Sequence, residues 1–78
     1  MISAFVFIDV DSKKTTDVFS LISVMSGVKS VYAISGPYDL IALVEGDDFF
    51  DISNIVVGGI RSIDGVMKTM TCFVLEQS

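Results

Sequence analysis

The stretch Val31-Tyr32-Ala33-Ile34-Ser35-Gly36-Pro37-Tyr38-Asp39-Leu40-Ile41-Ala42-Leu43-Val44 decides the fold, because it joins two short apolar runs through a Gly-Pro turn. Proline disfavours the α region for the residue before it, so Gly36 is expected to be extended or in a turn. The chain therefore reverses between two strands. The turn presents an aromatic ring at Tyr38 and a carboxylate at Asp39, beside free backbone N–H groups. Such a turn is a candidate site for a small zwitterion, although most turns of this kind only connect two strands.

The segments on either side of this hairpin predict the element order βαββαβ. Alternating apolar residues and turn residues predict strands over residues 2–10, 28–35, 40–45 and 66–76. Thr15 or Thr16 can cap a first helix, which Gly27 ends. A second helix begins with Asp47 as its cap and ends at Asp64-Gly65. Its apolar stripe consists of Phe49, Ile52, Val56, Ile60 and Ile63.

A Gly-Val pair that recurs in both halves of the chain favours one particular topology. Gly27-Val28 and Gly65-Val66 occupy corresponding places in the two halves, each after a helix and before a strand. This arrangement is typical of a ferredoxin-like α+β fold, in which two helices cover one face of a four-stranded antiparallel sheet. Right-handed crossovers would place both helices on the same side of the sheet.

Two adjacent glycines, Gly58 and Gly59, interrupt the second predicted helix. They cost about 2 kcal/mol relative to two alanines. Two interpretations remain open. The helix loosens or ends early at this point, or a neighbouring backbone in an assembly approaches closely.

The sheet has a second apolar face that two helices cannot cover. Phe5 and Phe7 share one side of the first strand, opposite Ala4 and Val6, and Ile41 lies on one side of the third. A chain of 78 residues forms one domain with a marginal core, yet 51% of its residues are apolar. We therefore expect a dimer that packs two sheets face to face and buries Phe5, Phe7 and Ile41.

Composition argues against several classes of function. The net charge of −5 disfavours a nucleic-acid partner, and no segment is long enough to span a membrane. Histidine is absent, which removes the commonest general base and metal ligand. Cys72, the sole cysteine, stands in an apolar run and is predicted to be a buried, inert thiol in a cytoplasmic protein. We expect no enzymatic activity, no cofactor and no metal site.

Two rival functions on the same topology also lack their residues. An acylphosphatase-like enzyme needs an arginine in the loop after the first strand, and that loop is Asp11-Ser12-Lys13-Lys14-Thr15. An RNA-binding sheet needs basic residues around its aromatic side chains and an RNP motif, neither of which is present.

The remaining polar candidates lie at predicted strand ends. Asp39 can accept hydrogen bonds from an ammonium group, and backbone N–H groups near Gly36 and Tyr38 can hold a carboxylate. Thr69 and Thr71 are two apart in the last strand, so both hydroxyls lie on one face of the sheet. Paired threonines are also common in strands for propensity alone.

Two motifs carry a resemblance to a known family. They are Gly27-Val28-x-x-Val31-Tyr32-x-x-x-Gly36-x-Tyr38-Asp39-Leu40 and Ile60-Arg61-x-Ile63-Asp64-Gly65-Val66-x-x-Thr69-x-Thr71. Their order and spacing resemble the effector domain of the Lrp/AsnC (leucine-responsive, feast/famine) regulators. This module is also called the RAM domain, for regulation of amino-acid metabolism. The resemblance extends over nearly the whole chain.

The resemblance implies a single effector domain over residues 1–78 that dimerises through its sheet and assembles into rings of dimers. It also implies that a small amino-acid effector binds at contacts between dimers. By motif, Gly36, Tyr38 and Asp39 bind the effector, with Thr69 and Thr71 as weaker candidates. Full-length regulators carry an N-terminal helix-turn-helix domain, and this sequence begins at the effector domain's first strand. It therefore resembles a stand-alone RAM protein, or such a domain taken from a longer chain, and direct DNA binding is not expected.

The leading hypothesis is a non-enzymatic domain that senses an amino acid between subunits. The alternative is an interaction module that co-assembles with full-length Lrp/AsnC regulators without a ligand of its own. A third interpretation, an ACT-like regulatory domain, shares the topology and ligand class but should lack the Gly-x-Tyr-Asp and Thr-x-Thr residues.

Overall fold

The computed structural model describes residues 1–78 and confirms the ferredoxin-like α+β fold with the order βαββαβ. The strands are β1 (Ile2–Val10), β2 (Val28–Ala33), β3 (Leu40–Gly46) and β4 (Val66–Phe73). The helices are α1 (Thr15–Ser23) and α2 (Phe49–Ser53). The backbone continues from α2 through a π-helix over Asn54–Gly59 and a 3₁₀ turn over Ile60–Ser62. We call residues 49–62 the second helical segment.

The four strands form one antiparallel sheet in the order β2-β3-β1-β4. The central strand β1 pairs Phe7 with Ile41 of β3 on one side and with Met70 of β4 on the other. A register shift interrupts the pairing of β1 with β4 between Asp9 and Val10. The sheet therefore has β2 and β4 as its edges.

The core lies between the sheet and the helices, and its buried members are all apolar. They are Ala4, Val6, Ile8, Val10, Val18, Ile22, Leu40, Ala42, Val44, Ile52, Val56 and Ile60. Full burial of each larger side chain contributes about 1.5–3 kcal/mol to folding. The predicted stripe of the second helix is confirmed at its three middle positions. It is wrong for Phe49, which is 63% exposed and instead packs edge-on against Phe73, with ring centroids 5.0 Å apart.

The start of α1 differs from the prediction. Its N-cap is Lys14, and neither Thr15 nor Thr16 caps the helix; the Thr15 hydroxyl donates to the Ser12 carbonyl oxygen at 3.4 Å. Lys14 Nζ lies 2.6 Å from Asp64 Oδ2. This hydrogen bond raises the pKa of Lys14 above its ordinary value and connects the start of α1 to the turn before β4.

The cap of α2 is Asp48 and not Asp47. Asp48 Oδ1 accepts a hydrogen bond from the Asp51 N–H at 2.9 Å, while Asp51 Oδ2 accepts from the Asp47 N–H at 2.9 Å. The first bond satisfies an N–H group in the first turn of the helix, and the second holds the residue before the cap, in a variant of the capping box. Two neighbouring aspartates are equally good caps by residue type, so only the backbone geometry selects between them.

Two strands are shorter than predicted. β2 ends at Ala33, whose partner Leu40 is the first residue of β3. β4 ends at Phe73, which pairs with Ala4 near the beginning of β1. Alternation continues in the sequence beyond both points, but only one backbone hydrogen bond follows each end. The Ile34 N–H donates to the Asp39 carbonyl oxygen and the Val74 N–H to the Ser3 carbonyl oxygen.

The Gly58-Gly59 pair lies where the helical backbone loosens, at the end of the π-helix. This agrees with the first interpretation of the pair. A Cβ atom at Gly58 would meet no atom within 4 Å, and one at Gly59 would lie 3.4 Å from the end of the Met25 side chain. Close approach of a neighbouring chain at this point stays a prediction.

We expect Gly27→Ala to destabilise the protein. Gly27 has φ +89, a region that costs a residue with a Cβ about 1–2 kcal/mol. The new Cβ would also lie 2.4 Å from Ile55 Cδ1, although that flexible side chain can move aside. Urea denaturation should show a loss of about 1–3 kcal/mol. The matched control Gly58→Ala, where φ is not positive and space is open, should leave stability equal or raise it; equal losses in both variants would contradict this prediction.

Candidate functional site

The turn between β2 and β3 is closed by one backbone hydrogen bond, from the Ile34 N–H to the Asp39 carbonyl oxygen at 2.9 Å. Gly36 has φ +150, at the limit of the region that favours glycine, and a Cβ there would meet nothing within 4 Å. The turn is therefore open to its surroundings on the Gly36 side.

Asp39 connects this turn to the end of β1. Its Oδ2 accepts a hydrogen bond from the Val10 N–H at 2.8 Å, and its own N–H donates to the Ile8 carbonyl oxygen at 3.0 Å. The Val10 N–H is available because the pairing of β1 with β3 ends at Ile8 and Leu40, before it reaches Val10. Oδ1 of Asp39 has no hydrogen-bond partner within the chain. The carboxylate is thus held in place by one oxygen and free at the other.

Tyr38 contacts the face of the sheet that the helices leave uncovered. Its ring centroid lies 5.7 Å from that of Phe7, and its hydroxyl lies 4.0 Å from Met70 Sδ. Lys68 Nζ lies 5.7 Å from the centre of the same ring, within cation–π distance. Tyr38 therefore extends the uncovered face beyond the strands.

We call this uncovered surface the open face. It consists of Phe5, Phe7, Tyr32, Tyr38, Ile41, Leu43, Met70 and Cys72. Each is exposed or only partly buried, with Tyr32 60% and Met70 43% exposed. The predicted second apolar face is confirmed. The prediction of a buried Cys72 is wrong for the single chain, because Cys72 pairs with Phe5 on this face.

Thr69 and Thr71 lie on the opposite face. They pair with Ile8 and Val6, two residues that point into the core, so both threonines face the helices from the edge strand β4. They line a cleft of about 310 Å³ between β4 and the second helical segment, which we call the threonine cleft. The cleft is lined by Ile52, Ser53, Val56, Val57, Arg61, Thr69, Thr71 and Phe73.

Within one chain, the predicted site residues form two groups. Gly36, Tyr38 and Asp39 lie together at the β2–β3 turn, while Thr69 and Thr71 lie across the sheet from Tyr38. Ser53 and Arg61 line the same cleft as the two threonines, and neither was predicted as a site residue from the sequence. The available signal was that Arg61 is the only arginine in an acidic chain.

A larger cleft of about 640 Å³ lies beside Gly58 and Gly59 and contains none of the predicted site residues. Its polar lining includes Glu45 and Asp51, but no group of three or more potential metal ligands occurs in the structure. No helix is both long and apolar enough to cross a membrane.

The structure is thus a small ferredoxin-like α+β domain with a Gly-x-Tyr-Asp turn and a Thr-x-Thr pair on an edge strand. Residues 3–78 match the family described as the Lrp/AsnC ligand binding domain, so the chain belongs to this family. The resemblance found in the sequence is thereby confirmed.

Two relatives illustrate this membership, and a third protein shares the fold. TTHA0845 from Thermus thermophilus is 35% identical, with a TM-score of 0.95, over 100% of this chain and 98% of that one. The homocitrate synthase of Saccharolobus solfataricus is 38% identical over 97% of this chain, which spans only 16% of the synthase. The transcriptional regulator NMB0573 from Neisseria meningitidis, in complex with L-Met, has a TM-score of 0.88 at 23% identity, over 97% of this chain and 51% of the regulator. That last likeness shows the shared fold.

Proposed function

We propose that this protein is a non-enzymatic amino-acid sensor that binds its effector between subunits and is related to the Lrp/AsnC regulators. The observation that carries the proposal is the hydrogen bonding of the Asp39 carboxylate. One carboxylate oxygen is fixed by the Val10 N–H, and the other has no partner at an open turn. A fixed, half-free carboxylate is well suited to accept hydrogen bonds from an ammonium group. Membership of a ligand-binding family supports this role.

The division of the candidate residues supports binding between subunits. A ligand that contacts both the β2–β3 turn and the threonine cleft needs them from different chains, since within one chain they lie on opposite faces of the sheet. The L-Met complex of a regulator with the same fold supports an amino acid as the ligand class.

The open face supports self-association as a dimer. Its apolar residues lie on the central strands, and stable association usually buries such a surface. Pairs of sheets packed face to face would leave the β2–β3 turns at the rim of each dimer. Rings of dimers would then bring turns and threonine clefts of neighbouring dimers together.

The proposed setting is the cytoplasm, without direct contact to nucleic acid. A net charge of −5 opposes binding to a phosphate backbone. We propose that any effect on transcription is indirect, through mixed assemblies with full-length Lrp/AsnC regulators.

A thermal-shift screen against the proteinogenic amino acids tests the proposal. A ligand at 100 times its Kd should stabilise the protein by about 2.7 kcal/mol. For a chain of this size, that corresponds to a rise in Tm of about 10–20 °C. The D-enantiomer of any hit is the matched control and should give a smaller shift. If no amino acid raises Tm at millimolar concentration, the sensor proposal is wrong and the ligand-free interaction module is favoured.

The homocitrate synthases motivate a second candidate function. Segments of these enzymes are 38–41% identical to this chain and make up only 14–16% of the enzyme length. We propose as the alternative that the protein regulates an enzyme by supplying such a domain as a separate subunit. Co-expression with a full-length Lrp/AsnC regulator of the same organism separates the two. Mixed assemblies in size-exclusion chromatography support the regulator role, and their absence favours the enzyme partner.

A further inference from the structure

We propose that the cleft between β4 and the second helical segment binds the carboxylate of a small acid with an apolar side chain, and that Arg61 holds this carboxylate. The inference deepens the proposed function, on which it rests for the choice of amino acids as ligands. It assigns the carboxylate end of the ligand to one subunit's cleft, separate from the turn that carries Asp39.

The first argument is the composition of the sheet under the helices. Every helix-facing side chain of β1 from Ala4 to Val10, and those of β3 from Leu40 to Val44, is apolar and buried. The edge strand β4 instead presents Thr69 and Thr71, which are only partly buried. The helices leave this strand uncovered, and the resulting cleft of about 310 Å³ is large enough for a small molecule.

The second argument is that four side chains with hydrogen-bond donors line the cleft and have no hydrogen-bond partner within the chain. Arg61 makes no salt bridge and no side-chain hydrogen bond within the chain, and neither do the hydroxyls of Ser53, Thr69 and Thr71. A guanidinium offers five N–H donors in a planar fork that matches a carboxylate. These four side chains therefore offer hydrogen bonds to an anion in one place.

The third argument is the local charge. Two other clefts on this acidic chain carry carboxylates: Glu45 and Asp51 line one, and Glu76 lines another. No carboxylate lines the threonine cleft, to which Arg61 belongs. An anion there meets only donors, whereas an ammonium group finds no charged partner. The cleft should therefore select for a carboxylate and be indifferent to an amino group.

The fourth argument concerns the rest of the ligand. The rest of the lining is apolar and consists of Ile52, Val56, Val57 and Phe73. This surface favours an aliphatic or aromatic side chain over a polar one. The ligand class is thus a monocarboxylic acid with an apolar side chain, which includes the apolar amino acids.

The backbone explains why Arg61 lies here. Ile60 is fully buried and anchors the 3₁₀ turn that follows the π-helix. Ser62 Oγ donates to the carbonyl oxygens of Gly58 and Gly59, at 3.2 and 2.6 Å. These bonds connect the end of the 3₁₀ turn to the end of the π-helix. The residue between these two anchors is Arg61, whose exposed side chain lines the cleft.

Calorimetric titration with truncated probes tests the inference on the whole protein. The acids 4-methylpentanoate and 3-phenylpropanoate lack an amino group, and the amines 3-methylbutylamine and 2-phenylethylamine lack a carboxylate. We expect at least one acid to bind through Arg61, whereas any binding of the amines occurs at Asp39 and should not change in Arg61→Gln. Arg61→Gln should weaken the acid about 10- to 150-fold, the loss expected for a charge-assisted hydrogen bond. Lys13→Gln, which removes one positive charge from an exposed loop outside the cleft, is the matched control and should bind like wild type.

The outcomes separate this inference from the proposed function. If neither acid binds, or if Arg61→Gln binds the acid like wild type, the inference is overturned. Should an amino acid still bind under any of these results, the sensor function stands without it. If an acid binds through Arg61 and no amino acid binds, the cleft assignment stands and the amino-acid sensor fails.

Discussion

Replacing Phe7 with Asp will convert the assembled protein into monomer or aggregate. Phe7 lies on the central strand at the middle of the open face, between Ile41 and Met70 and beside the Tyr38 ring. In a dimer packed sheet to sheet, the new carboxylate would be buried without a partner. Such burial costs several kcal/mol, which is enough to abolish association at micromolar protein concentration.

Sedimentation equilibrium of wild type and variant measures this effect directly. Phe7 is not part of the buried core, so the far-UV circular dichroism of a soluble monomeric variant should stay close to that of wild type. Phe50→Asp is the matched control, because Phe50 is 71% exposed on α2, in the helical layer and away from the open face. It should leave the dimer intact. An unchanged, stable assembly of the Phe7 variant would rule out the sheet-to-sheet dimer.

Asp39→Asn should lower the affinity for the effector amino acid by about 10- to 150-fold. A charge-assisted hydrogen bond to an ammonium is worth about 1.5–3 kcal/mol, and each 1.4 kcal/mol corresponds to about a factor of ten. Asparagine retains the shape and one acceptor oxygen, which can still serve the Val10 N–H. Calorimetric titration with the amino acid found in the thermal-shift screen measures the loss.

A second variant separates ligand binding from a purely structural role. Asp39→Ala also removes the acceptor of the Val10 N–H and should cost about 1–3 kcal/mol of stability, because a partly buried donor loses its partner. The expected pattern is therefore weak binding in both variants and a marked stability loss in the alanine variant alone. Equal affinities of wild type and Asp39→Asn would contradict the hypothesis that Asp39 binds the ammonium group of the ligand. Asp39 would then have only the structural role of joining the β2–β3 turn to β1.

The sequence by itself determined the element order and the side of β1 and of β3 that faces the core. Period-two alternation in β1 and the four-residue spacing of Ile52, Val56 and Ile60 are local patterns, and burial follows them in the structure. Gly27 and Gly65 both have positive φ, as expected for residues that end a helix or turn into a strand. The family resemblance was equally visible, because its motifs are contiguous stretches of sequence. These features depend on residues close together in the chain.

Only the tertiary structure decided which candidate residues share a site. Alternation specifies that Thr69 and Thr71 lie on one side of β4, but register with β1 specifies that this side is the opposite of the one Tyr38 contacts. The π-helix changes the number of residues per turn, so helical spacing in the sequence cannot place Arg61 at the threonine cleft. The bond from the Val10 N–H to Asp39 joins residues 29 positions apart and depends on where the pairing of β1 with β3 ends, which no local pattern encodes.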